Sequence, residues 1–202
     1  MRRARPCTIR SLHRGTPAFL EEERVFFDPV LPEEKLLILG GGYVGQAVAF
    51  QASRLGFKIT VADDRHEFSA AERFPPNVES QSGSYTEIVE RFPFDSATYV
   101  VMVTRGHLTD LECVRAVLKR KYRYAGFIGS ERKAKLLREQ LRSDGFEQEK
   151  IDALHAPIGL AIKAETPEEL AVAILGEIIA VRRHAEPGET VNPSVGQKYT
   201  SA

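Results

Sequence analysis

Apolar and polar residues fall in blocks along most of this chain. Five short apolar runs predict strands: Leu36 to Leu39, Phe57 to Val61, a weaker Val78 to Gln81, Ala97 to Val103 and Tyr124 to Ile128. The run ATYVVMV at 97–103 is nearly continuous, the pattern of a parallel strand buried on both faces. Between the runs the spacing turns helical. Helices are expected over Tyr43–Leu55, stopped by Gly56, and over Thr86–Phe92. Another runs from Thr109, where Thr109 and Glu112 read as a capping box, to about Lys119. Ser130 caps a charged helix over Glu131–Arg142 that Asp144-Gly145 terminates. A short helical turn is expected near Ser69 to Arg73, before Pro75-Pro76 breaks the chain. Residues 151–165 read as a loop with a short extended part. The last helix opens on Thr166-Pro167-Glu168-Glu169: a cap, a proline at the first helical position and a reciprocal glutamate. Leu170, Ile174, Ile178 and Val181 give it a buried stripe.

Strands alternating with helices imply an α/β fold, a doubly wound parallel sheet in three α/β/α layers. One domain spans 25–185. Residues 1–24 form a basic leader with little expected order, and 186–202 a polar tail expected to be disordered. Pro29 and Pro32 keep 25–34 extended, and Val25, Phe26 and Phe27 could pack on the domain's flank.

The chemistry concentrates in KLLILGGGYVGQAVAFQASRLGFKITVADD, residues 35–64. A strand, a glycine turn, a helix and a second strand ending in acid make a Rossmann-like βαβ unit. Gly40 turns the chain, Gly42 lets a diphosphate approach, and Gly45 lets the helix pack close. The amides of Gly41, Tyr43 and Val44 then face a bound anion at the positive end of the helix. Asp63 could accept two ribose hydroxyls. Arg65 could meet a 2′-phosphate or simply pair with the acids beside it. In such sheets ligands bind at the carboxyl ends of the strands. That rule gathers the turn with Asp63-Asp64-Arg65, Thr104-Arg105-Gly106-His107 and Gly129-Ser130. His107 is the candidate acid–base residue, or a ligand for a loop carbonyl. Arg105 could clamp an anion. Gly129 and Ser130 form either a second anion cradle or an ordinary cap. Lys133 and Lys135 read as a solvated face, His155 as a loop-fixing hydrogen bond, and Cys113 as a buried, inert thiol.

Composition narrows the partners. Lys plus Arg equals Asp plus Glu at 28 each, so no global field recruits nucleic acid or membrane, although Arg2, Arg3, Arg5, Arg10 and Arg14 crowd the first segment. Two cysteines, Cys7 and Cys113, give no disulfide framework and suit a cytoplasmic protein. No apolar run reaches membrane-spanning length. His107, His155 and Asp110 lack a zinc spacing, so no protein-bound metal is expected.

The segments VTRGHLTDLECVRAVL, YAGFIGSERKAK and HAPIGLAIKAETPEELAVAILGEIIAVR follow one another in order. With the glycine turn and VADDRHEFSAAERFP, they resemble the C-terminal domain of the xanthine dehydrogenase accessory family (XdhC/CoxI type) over roughly residues 25–183. The resemblance implies a cytoplasmic maturation factor rather than an enzyme. It would bind molybdenum cofactor (molybdopterin), protect it during sulfuration and deliver it to an apo molybdenum hydroxylase, with a cysteine desulfurase as a further partner. Two departures stand out. The resemblance implies an N-terminal domain ahead of the Rossmann unit, where only a short basic leader precedes Val25 here, so a separate chain could supply it. Lys163 also stands where the family has glycine. Apolar residues of the lead-in and last helix could form a homodimer face or pack internally. The fingerprint alone fits an NAD(P)-dependent oxidoreductase equally well, and a non-binding interaction module is a third reading.

Overall fold

A computed structural model of the chain describes residues 18–20, 25–27 and 32–184. Two three-residue strands, β1 (Ala18–Leu20) and β2 (Val25–Phe27), pair antiparallel with Phe19 opposite Phe26. β1 lies in the stretch expected to lack order. Val25 and Phe26 stay exposed, Phe26 at 62%, so these two side chains do not seal the domain's flank. The leader before Ala18 and the tail after His184 lie outside the described residues.

The five apolar runs form a single parallel sheet: β3 (Lys35–Leu39), β4 (Lys58–Asp63), β5 (Val78–Ser82), β6 (Thr98–Met102) and β7 (Tyr124–Phe127). Their spatial order is β5-β4-β3-β6-β7. β3 is the centre, with Leu37 between Thr60 and Val100. Leu36, Leu37, Ile38 and Leu39 are all fully buried, because both faces of the strand are covered. Successive residues point to opposite faces. Leu36 and Ile38 therefore join α1 (Tyr43–Ala52) and α7 (Pro167–His184) in one core layer. Leu37 and Leu39 join the other layer, with α3 (Tyr85–Arg91), α4 (His107–Leu118) and α5 (Glu131–Ser143). Each such side chain contributes about 1.5–3 kcal/mol on leaving water. The chain order reverses between β3 and β6, which puts the crevice at their carboxyl ends.

Two helical expectations need correction. α4 begins at His107, not Thr109. Gly106, at φ +98°, turns the chain two residues earlier, and no side chain caps this helix. Within the stretch expected to be loop, α6 (Gln148–Asp152) forms instead. It points a single fully buried residue, Ile151, at the core, so it has no apolar period to read. The chain then returns to the outer edge of β7. His155 N–H donates to Ala125 O at 3.0 Å, and His155 O accepts from Phe127 N–H at 2.8 Å. The helical turn near Ser69 resolves into α2 (His66–Ser69) and a 3-10 turn (Ala71–Arg73).

Candidate functional site

β3 delivers the chain to the crevice and the glycine turn redirects it into α1. Gly40 has φ +111°, and a Cβ on it would lie 2.5 Å from Val103 O. A Cβ on Gly45 would lie 1.8 Å from Gly40 O, and one on Gly41 2.1 Å from Phe68 O. The protein's own packing excludes a side chain at all three. Gly42 is different: its φ of −64° and ψ of −171° suit any residue, and nothing lies within 4 Å of where its Cβ would be. Open space faces the backbone there.

The amides of Gly42, Tyr43, Val44 and Gly45 find no acceptor among the described residues. Gln46 is the first with a partner, donating to Gly42 O at 2.8 Å. Helix starts leave such groups unpaired. α1 has no side-chain cap and no acid in its first turn. The positive end of its dipole therefore meets the crevice without an internal counter-charge from that turn.

Gly41 is used differently. Its N–H donates to Asp63 Oδ2 at 2.8 Å. Asp63, fully buried at the end of β4, also accepts from Arg65 N–H at 3.0 Å, Arg65 Nε at 2.9 Å and Arg65 Nη2 at 3.0 Å. Burial pushes the Asp63 carboxyl up, but the hydrogen bonds from Arg65 and Gly41 outweigh it and hold it below the usual range. The Arg65 guanidinium lies 3.6 Å from the centroid of the Phe68 ring. Arg73 reaches back from the 3-10 turn, with Nη2 3.3 Å from Gly41 O and from Gln46 Oε1. Gln46 Nε2 in turn donates to Arg73 O at 2.8 Å. The segment after β4 thus clasps the back of the glycine turn. Asp64 is half exposed and accepts from Tyr85 O–H at 3.4 Å.

Beyond β6, Thr104 is buried and its hydroxyl donates to Asp110 Oδ1. Asp110 Oδ2 sits 2.6 Å from Lys133 Nζ, so Lys133 belongs to a largely buried ion pair and not to a solvated face. Ser130 Oγ accepts from Lys133 N–H at 3.2 Å and caps α5, beside half-buried Gly129. Arg105 and Gly106 are exposed. The side chain of His107 lies outside the described residues; its backbone opens α4. The four sequence stretches do converge on the carboxyl edge. Thr104 and Ser130 hydrogen-bond within the protein, Asp63 and Arg65 hold one another, the Gly42–Gly45 amides keep no acceptor among the described residues, and Asp64 and Arg105 are exposed.

Sequence reasoning missed Gln46, Phe68, Arg73 and Asp110, whose partners lie 3 to 32 residues away with no local pattern. It also missed Glu177, which did carry a signal as an acid amid the apolar turns of the last helix. Glu177 is buried and accepts from Tyr124 O–H at 2.5 Å and Gly159 N–H at 3.0 Å. His155 Nδ1 lies 3.1 Å from its Oε1, which gives His155 the structural role expected of it. Cys113 is fully buried, and burial pushes its thiol well up, so it stays protonated.

The family model for the XdhC Rossmann domain matches residues 36–178. The chain is 35% identical over 161 residues to the uncharacterized protein YqeB of Escherichia coli K12, covering 79% of this chain and 29% of that one. It is 26% identical to a probable xanthine dehydrogenase subunit of Bacillus subtilis 168, over 87% of this chain and 51% of the relative. It is 28% identical to the molybdenum cofactor insertion chaperone PaoD of E. coli K12, over 81% and 45%. A crystal structure described as a xanthine dehydrogenase from Bacillus halodurans superposes with a TM-score of 0.68 at 26% identity, over 83% of this chain and 47% of that one. The chain therefore spans about half, or less, of the length of these relatives. With its parallel five-stranded sheet and glycine turn, it belongs to the XdhC Rossmann-domain family.

Proposed function

We propose that this chain holds the phosphate of a molybdopterin-type cofactor on the Gly42–Gly45 amides, as an accessory factor in the maturation of xanthine dehydrogenase-type molybdenum hydroxylases. The observation that carries the reading is Gly42. It is the position in the turn where a side chain would meet no protein atom, yet the chain keeps glycine there. Four amides without acceptors among the described residues stand beside it. That donor set fits a phosphate, which binds as an anion and needs backbone approach. The reading agrees with a relative that is a molybdenum cofactor insertion chaperone. When bound, the cofactor carries the metal-centred redox chemistry of the client enzyme. The chain's own residues bind its charge, fix the turn through the Asp63–Arg65 clasp, and offer Arg105 at the rim. The apo-hydroxylase and a cysteine desulfurase are the proposed partners, in the cytoplasm. Among the described residues no helix is long and apolar enough to cross a membrane.

The test is copurification. The chain and Gly42→Val are purified from cells that make molybdenum cofactor, then assayed for molybdenum and pterin fluorescence. Both signals should accompany the unaltered chain and neither the variant. Tight NAD with turnover of a small substrate, or equal cofactor in both preparations, would overturn the proposal.

A further inference from the structure

The glycine fingerprint usually comes with a carboxylate that reads a ribose, and here that carboxylate is closed off. On the phosphate reading of the turn, we infer that Arg65 sets the specificity of the site. It plugs Asp63, so the site recognises a phosphate group and is blind to the sugar diol attached to it.

A carboxylate offers about four lone-pair positions. Asp63 has four N–H donors on its two oxygens, at 2.8 to 3.0 Å, and no exposed surface. Three of the four come from Arg65. The guanidinium is wedged between the carboxylate and the Phe68 ring, with 19% of its side chain exposed. A ribose could reach Asp63 only by displacing this arginine. Breaking a buried, hydrogen-bonded ion pair costs more than two hydroxyl bonds return. Asp64 is no substitute. Asp64 Oδ1 accepts from Tyr85 O–H at 3.4 Å and lies 3.7 Å from Nε of the same Arg65, so its carboxylate is turned to groups of the protein. The ligand class that follows is a phosphomonoester or diphosphate whose sugar, if it has one, adds no affinity.

The experiment follows the Gly42 amide resonance of the full chain by NMR during titration with pyrophosphate, ADP and 2′,3′-dideoxy-ADP. The two nucleotides should bind within about two-fold of each other. Arg65→Ala should uncover Asp63 and separate them by about 10-fold in favour of ADP, the effect of hydroxyl bonds to a charged acceptor. A 10-fold preference for ADP in the unaltered chain would overturn the inference. So would a folded Arg65→Ala variant that still fails to distinguish them. If Arg65→Ala does not fold, Arg65→Lys, which cannot make the bidentate contact, takes its place with the same expected direction. A Gly42 resonance that none of the three ligands moves would overturn the phosphate reading itself, and the specificity claim with it.

Discussion

Gly42 and Gly45 lie three residues apart in one turn and should respond oppositely to a methyl group. Gly42→Ala places its Cβ in open space at an ordinary φ, so stability should change by less than about 1 kcal/mol in urea unfolding, the scale of a helix-cap effect. Gly45→Ala drives a Cβ to 1.8 Å from Gly40 O and should cost about 1–3 kcal/mol or more. Equal costs would mean that the two glycines are both packing devices. Lys163 makes the complementary case. At φ +58° it is the non-glycine residue with positive φ among the described residues. The backbone shape survives where the family resemblance places a glycine. Lys163→Gly should therefore stabilise by about 0.5–1 kcal/mol. The left-handed penalty of roughly 1–2 kcal/mol is relieved, less the roughly 0.4–1 kcal/mol that a freer unfolded chain takes back. A lower melting temperature in this variant would contradict the backbone assignment.

At the scale of elements, α7 is held at its first turn and at its middle. Thr166 Oγ1 accepts from Glu169 N–H at 3.2 Å, and Glu169 Oε2 accepts from Thr166 N–H at 3.1 Å, the reciprocal cap that the sequence predicts. Farther along, Glu177 ties the helix to Tyr124 on β7 and to His155. Burial pushes the Glu177 carboxyl up, but the adjacent His155 imidazole and hydrogen bonds from Tyr124 and Gly159 hold it below its ordinary 4.5. A lowered carboxylate stabilises the fold above its unfolded value, and that stabilisation is lost as pH falls through the folded value. Glu177→Gln should then cost about 3 kcal/mol near neutral pH. The gap to the unaltered chain should narrow below pH 4.5, the ordinary value of the group. A gap independent of pH would remove charge from the explanation. α7 and α5 were legible because their caps are local, with Thr166 and Ser130 each bonding three residues ahead. The start of α4 was not legible. It depends on the positive φ of Gly106, and the Thr109–Glu112 pattern that marks a cap elsewhere falls inside its first turns.

Across the whole molecule, the parallel sheet and the convergence of four loops on one edge followed from the alternation of apolar runs and helices. What each residue does at that edge did not. Asp63 reads as a ribose acceptor because the fingerprint has an acid there. Its four donors include Gly41, 22 residues away, and an arginine held by Phe68, and no spacing rule announces that closure. The same holds for Lys133, drawn inward by an Asp110 that belongs to another helix. The fold thus closes most polar groups of the crevice on one another and leaves the amides beside Gly42 without an acceptor among the described residues. The most direct measurement is the dissociation constant of molybdopterin for the unaltered chain and for Gly42→Val, with both melting temperatures taken in the same buffer. The expected result is an affinity lower by roughly 100-fold, from lost charge-assisted hydrogen bonds, in a variant whose melting temperature moves by no more than about 4 °C. Equal affinity in a folded variant would contradict the claim that the ligand's phosphate sits on this turn.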